Sequence, residues 1–242
     1  MYLFVIDKFS IIFTFHCLLN KSGLDLCIHV GVSVFILKVS LDTNGSRGPV
    51  VFTKDGQIKG ATLDKAHVFY GVPYADPPVG SYRWKPPRPV SPWPGVYDAS
   101  FPRAACIVLG IEDCLYLNIF VPVDVDFSSP LRSPLPVMVW IHGGDFIAGS
   151  ASKPLYDGRF ISNFTHTVVV SIEYRLGAFG FLVSGKDPHT SAAGNYGILD
   201  QQAALLWVQR NIAMFGGDPS KASGQADTHS QRHTHSKILT KK

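Results

Sequence analysis

A chain of 242 residues with 46% hydrophobic and 12% aromatic side chains holds enough apolar surface for a sizeable core, which excludes a disordered tail. The formal charge of +4 is confined to the end of the chain: residues 1–220 carry 17 Lys plus Arg against 17 Asp plus Glu, whereas Lys221, Arg232, Lys237, Lys241 and Lys242 face only Asp227. The body is therefore neutral, and no nucleic acid or other acidic polymer is indicated as a partner.

Residues 1–41 are apolar in two bursts, 9–19 and 26–37, parted by Asn20, Lys21, Ser22, Gly23 and Asp25. Neither burst reaches the roughly 20 residues that a bilayer-spanning helix needs, so a membrane anchor is disfavoured. The first has the length of a signal-peptide apolar region behind Lys8, although Asp7 interrupts the basic flank and no Ala-x-Ala-like cleavage site follows. The expected organisation is an atypical signal segment over 1–41, a folded body over 42–221 and a divergent basic, His- and Ser-rich tail over 222–242. A segment 1–41 that is not native coding sequence is the other reading.

The body opens on two short antiparallel strands, residues 50–53 and 57–60, around the hairpin signal Asp55-Gly56. Residues 73–94 then hold eight prolines together with Tyr74, Tyr82, Trp84 and Trp93, too many prolines for a helix or a central strand. Aromatics interleaved with prolines predict an extended segment clamped on a globular surface. Residues 115–121 predict a strand with Leu115, Leu117, Ile119 and Val121 on one face, and 124–135 a surface loop.

Residues 137–141, Val-Met-Val-Trp-Ile, are too few for a helix and rich in β-branched and aromatic types, so they predict a buried strand that the glycines after His142 stop abruptly. Backbone N–H groups bunched after a strand end can face a developing negative charge, as acyl transfer requires of an oxyanion site. A short helix is expected over 156–163 and an apolar strand over 167–172. A long helix follows over about 198–215, with Leu199, Ala203, Leu206, Val208 and Ile212 largely on one side and Gly216-Gly217-Asp218-Pro219 ending it. Strands alternating with helices after an antiparallel opening predict an α/β fold with a mixed central sheet.

Cys106 and Cys114 lie close together without partner histidines, which favours a short disulfide over a metal site; two buried thiols are the alternative if the compartment is reducing. No metal or cofactor is expected. Sequons at Asn20, Asn44 and Asn163 agree with a secreted or ER-lumenal protein and are candidate glycosylation positions.

Five blocks in order resemble the type-B carboxylesterase and cholinesterase-like family of α/β-hydrolases. They are Phe69–Gly80 with Arg83-Trp84, Glu112–Asn118, His142-Gly143-Gly144, Tyr174–Phe181, and Gly194–Gln201 leading to Phe215–Pro219. The resemblance covers about residues 49–221, less than half of a full-length member, and implies an α/β-hydrolase fold and hydrolysis of small carboxylic esters through an acyl-serine intermediate. It assigns the oxyanion hole to Gly143, Gly144 and Asp145, with the amides of Gly144 and Asp145 as donors. Asp145 departs from the family's small residue there. His142 is implied to be a packed loop residue rather than a base. Arg83 with Glu112, and Arg175 with Asp200, match structural ion pairs, and Cys106 with Cys114 the family's first disulfide. The seven residues between those cysteines include no aromatic, which argues against the cation–π site of choline-ester enzymes.

In relatives a hydrophobic strand and a nucleophile elbow, Gly-x-Ser-x-Gly, follow Gly-Gly-Asp-Pro. Here the chain continues Ser220-Lys-Ala-Ser-Gly-Gln-Ala-Asp-Thr-His-Ser, with no apolar strand and no elbow; the serine's place falls on Thr228. The family strand is expected beside the one ending at Glu173, and its absence to leave a hydrophobic edge. His229, His233 and His235 as metal ligands and Ser223 as a displaced nucleophile are weighed against a disordered tail, which composition favours. An altered exon or reading frame is the simplest origin of such a tail. The functional expectation is a truncated carboxylesterase, inactive alone for want of nucleophile, acid and base. The alternatives are a non-catalytic cholinesterase-like adhesion or binding protein and a fragment without function.

Overall fold

The computed structural model describes residues 48–106, 111–128, 133–185 and 192–226, together with the backbone of four short strands near the N-terminus. The chain divides into two units, Met1–Gly45 and Ser46–Lys242. In the first unit β1 (Tyr2–Ile6) pairs antiparallel with β2 (Phe9–Phe13), and β3 (His16–Leu18) with β4 (Leu26–Ile28). Asn20, Asn44 and the three tail histidines lie outside the described residues.

The second unit opens on the expected hairpin, β5 (Val50–Phe52) and β6 (Gln57–Lys59), which β9 (Val96–Asp98) extends to three strands. The main sheet has six strands in the order β13-β11-β12-β10-β8-β7, from β7 (Ala61–Thr62), β8 (Ala66–Pro73), β10 (Tyr116–Pro122), β11 (Leu135–Ile141), β12 (Val168–Ile172) and β13 (Gly217–Ala226). β11 runs parallel to both β12 and β13, and the remaining pairs are antiparallel, so the sheet is mixed as expected of this fold class. All five residues of β12 are buried, the mark of a central strand covered on both faces.

The sequence signal for β8 is broken by a bulge. Its burial does not alternate strictly, because the register shifts opposite Leu117/Ile119 and Gly71 turns to φ +60°. The Gly71 amide donates to Asn118 Oδ1 at 2.9 Å, and Asn118 Nδ2 donates to Ser171 Oγ at 3.2 Å, so the buried amide side chain bridges three strands. A Cβ at Gly71 would meet Arg103 Cγ at 2.0 Å, which reserves the position for glycine.

Two elements correct the sequence reading. A strand stands where none was expected: Gly217–Ala226 forms β13, and its neighbour is β11 rather than the strand that ends at Glu173. The strand therefore runs to residue 226, into the stretch 222–242 read as a disordered tail. Extended backbone without large apolar side chains suffices to complete a parallel ladder at the sheet edge, where Pro219 is tolerated.

The second correction concerns α3 (Tyr196–Asn211). Its buried face is Tyr196, Gly197, Asp200, Ala204, Trp207, Val208 and Asn211, whereas Leu206 is 49% exposed. The helix is rotated from its apolar periodicity so that Asp200 meets the buried Arg175 and Asn211 meets the opening hairpin. Lys54 N donates to Asn211 Oδ1 at 3.2 Å and Trp207 Nε1 to Asp55 Oδ2 at 2.9 Å, tying the opening hairpin to the helix. A 3-10 turn, Ile212–Phe215, then ends at Gly216 in the left-handed region, as the glycine signal indicated.

The short helix expected over 156–163 is a 3-10 turn, Pro154–Tyr156, and then α1 (Arg159–Thr165). The proline-rich segment lies clamped on the body. Trp93 Nε1 donates to Gln57 O at 3.0 Å, Trp84 Nε1 donates to Ala178 O at 3.0 Å, and Asp76 takes the amide and hydroxyl of Ser91.

Candidate functional site

β11 ends at Ile141, and the chain turns at once through His142, Gly143 and Gly144. Gly144, Asp145 and Phe146 have φ of +130°, +53° and +61° in succession. Two of these are not glycine, and each such residue costs about 1–3 kcal/mol unless its surroundings hold it there. The hold is visible. Ile147 N and Ala148 N both donate to Gly144 O at 3.0 Å, and Gly177 N, opening α2 (Gly177–Phe181), donates to Phe146 O at 2.7 Å. The Phe146 ring packs on Phe181 at 4.9 Å. A Cβ on Gly144 would stand 1.9 Å from Ala148 O, so the turn has no room for another residue.

His142 forms the floor of this loop. It is buried, its ring stacks on Tyr174 at 4.5 Å, and its carbonyl accepts the Tyr174 hydroxyl at 2.9 Å. Burial, with the nearby Glu173 charge adding to it, pushes the Tyr174 phenol up to about 12. Glu173 Oε1 accepts from Ser150 Oγ and Ala151 N, both at 2.8 Å, and Oε2 stands 3.6 Å from His142 Nε2. Sequence reasoning passed over Glu173, yet a carboxylate placed straight after Val-Val-Val-Ser-Ile was a signal: a buried acid needs partners.

Arg175 and Asp200 meet in a two-pronged pair, Nε to Oδ2 at 2.8 Å and Nη2 to Oδ1 at 2.7 Å, and the Arg175 amide donates to Oδ2 at 3.1 Å. Burial pushes the Asp200 carboxyl above its ordinary range, and the guanidinium opposes that rise. Arg83 Nε donates to Glu112 Oε2 at 2.6 Å, with a second contact between Arg83 Nη2 and Glu112 Oε1, joining the proline-rich segment to the strand entry at Cys114. Cys106 and Cys114 are bonded to each other.

Asn163 is exposed on α1. Ser223 is level with Met138 in the β11 ladder, three residues before Ile141, roughly 10 Å along the strand from the loop. The structure therefore does not bring Ser223 to Gly144. Thr228 and His229 lie outside the described residues, and among the described residues no group of three His, Cys, Asp or Glu is placed to hold a metal. No helix among them is long and apolar enough to cross a membrane.

Residues 47–223 match the carboxylesterase family. The chain is 42% identical over 197 residues to an acetylcholinesterase of Electrophorus electricus, covering 72% of this chain and 30% of that protein. It is also 42% identical over 192 residues to a para-nitrobenzyl esterase of Bacillus subtilis, covering 72% and 37%. The crystal structure of a Geobacillus stearothermophilus carboxylesterase superposes with a TM-score of 0.67 at 42% identity, over 73% of this chain and 37% of that one. The chain thus spans about a third of the length of the curated relatives it matches.

Proposed function

The chain belongs to the carboxylesterase family, and from that premise we propose that its loop 142–150 is the oxyanion-hole part of a carboxylic ester hydrolase acting on small esters. In acyl transfer the carbonyl oxygen gains negative charge in the tetrahedral intermediate, and N–H groups fixed in advance stabilise it without reorganising. One observation supports the reading: a strained turn at the C-terminal end of a parallel strand, held by its neighbours, lies where the family resemblance assigns the donor amides to Gly144 and Asp145, with Gly143 leading in. Asp145 is exposed, so water screens its carboxylate from a charge developing nearby.

The other half of the chemistry is a nucleophile, an acid and a base. The 242 residues contain no Gly-x-Ser-x-Gly, and Ser223 stands mid-strand, away from the loop. Oxyanion donors alone leave catalysis several orders of magnitude below a complete triad. The chain by itself is therefore read as inactive, and its parent as a general carboxylesterase: the Cys106–Cys114 loop carries no aromatic to stack on a choline ammonium. The relatives' printed names are of ester hydrolases, which favours this over a binding or adhesion role. An oxidising secretory compartment fits the disulfide and the exposed sequon at Asn163.

The test is direct. The 242-residue chain, expressed and purified, is expected to hydrolyse p-nitrophenyl acetate no faster than its heat-denatured control and to take up no fluorophosphonate probe. Turnover above that control, with the probe bound to a hydroxyl of this chain, would overturn the proposal.

A further inference from the structure

Among the described residues, the hydrogen bonds and the ion pair of the Glu173 side chain all go to the two ends of one loop. At the near end is His142, whose Nε2 lies 3.6 Å from Oε2; at the far end are Ser150 Oγ and Ala151 N at 2.8 Å and Ser152 Oγ at 3.4 Å, all on Oε1. Between those ends lie Gly143, Gly144 and Asp145. The Glu173 backbone is anchored in turn. Its amide donates to Tyr116 O in β10 at 2.9 Å, and its carbonyl accepts the Tyr74 hydroxyl, just after β8, at 2.7 Å. Glu173 is 2% exposed and His142 1%. His142 Nε2 and Glu173 Oε2 are buried and have no closer hydrogen-bond partner among the described residues.

We propose that Glu173 is a positioning residue that clamps His142 to Ser150–Ser152 and thereby fixes the Gly144–Asp145 turn in its strained shape. The idea rests on the oxyanion reading only for what the turn is used for; the clamp itself is a property of the loop. Its physical basis is that an acid at the end of an apolar strand is costly to bury unless neighbouring donors satisfy it. Here Ser150, Ala151 and Ser152 donate to Oε1 from the far end of the loop while Oε2 faces the buried His142 ring at the near end, so placing the acid and closing the loop are the same event. Ala at Gly149 would place a Cβ 2.4 Å from both Gly143 O and His142 Nδ1, which shows how closely the far end is drawn onto the near one.

The experiment uses the full chain and needs no turnover. Hydrogen exchange of peptides covering 142–152 and 196–211 is measured for the wild type, Glu173→Ala and Glu173→Gln, beside the 15N resonances of the His142 ring. Glu173→Ala is expected to speed exchange in 142–152 about tenfold or more while leaving the α3 peptide unchanged. Glu173→Gln keeps an acceptor for Ala151 and Ser150 and is expected to restore part of the protection at the far end, yet to shift the His142 Nε2 resonance. If the alanine variant fails to fold, Ser150→Ala, which removes one donor, is expected to loosen 150–152 selectively. Unchanged loop exchange, or exchange rising equally in α3, would overturn the clamp and leave the oxyanion reading standing. Ester turnover with fluorophosphonate labelling, which would overturn the proposed function, would leave the clamp standing.

Discussion

Arg175 and Asp200 hold each other by two parallel hydrogen bonds with side chains 3% and 0% exposed, one at the end of β12 and the other one turn into α3. The pair ties the helix to the segment that leaves β12 through Glu173 and Tyr174. Removing one partner leaves the other charge buried alone, which costs about 3–5 kcal/mol. Asp200→Ala is therefore expected to lower unfolding free energy by that amount in a urea titration. Arg175→Lys should recover little of it, because an ammonium cannot make both contacts.

Gly149 closes the loop that begins at His142, with φ of +127° and no space for a side chain. Gly149→Ala combines a disfavoured backbone conformation with overlap on Gly143 O and the His142 ring, a cost of roughly 2–4 kcal/mol. Since the overlap is local, near-UV circular dichroism and exchange at 142–152 should change more than far-UV ellipticity does.

Tyr174 gives a prediction in pH. Its folded pKa of about 12 lies above the ordinary phenol value of about 10, so the fold favours the neutral phenol. That contribution is complete below about pH 10 and is lost as pH rises through about 12. Burial also raises Tyr74 and Tyr70, so the effects add in the same direction. Unfolding midpoints in urea are expected to fall between about pH 10 and 12, and phenolate absorbance to appear later in the folded protein than in urea. A flat stability profile across that range would contradict the burial of Tyr174 against His142.

Local rules made much of this molecule legible. Asp55-Gly56 specifies the hairpin because its backbone preferences act over four residues, and the run 137–141 specifies a strand because five apolar residues have no helical alternative. The motif blocks around Arg83, Glu112, Arg175 and Asp200 marked residues that the structure does pair. The helix face was misjudged for the opposite reason: counting apolar residues placed Leu206 inward, whereas Asp200 and Asn211 have distant partners that decide the rotation.

By itself the sequence determined the class of fold, the glycine turn after Ile141 and the family, since each depends on residues adjacent in the chain. Only the tertiary structure decided that residues 217–226, without a large apolar side chain, complete the sheet beside β11, and that Glu173 lies against His142. Both are settled by backbone and carboxylate groups seeking partners far away in sequence. Such a group shows its need in the chain but not who meets it.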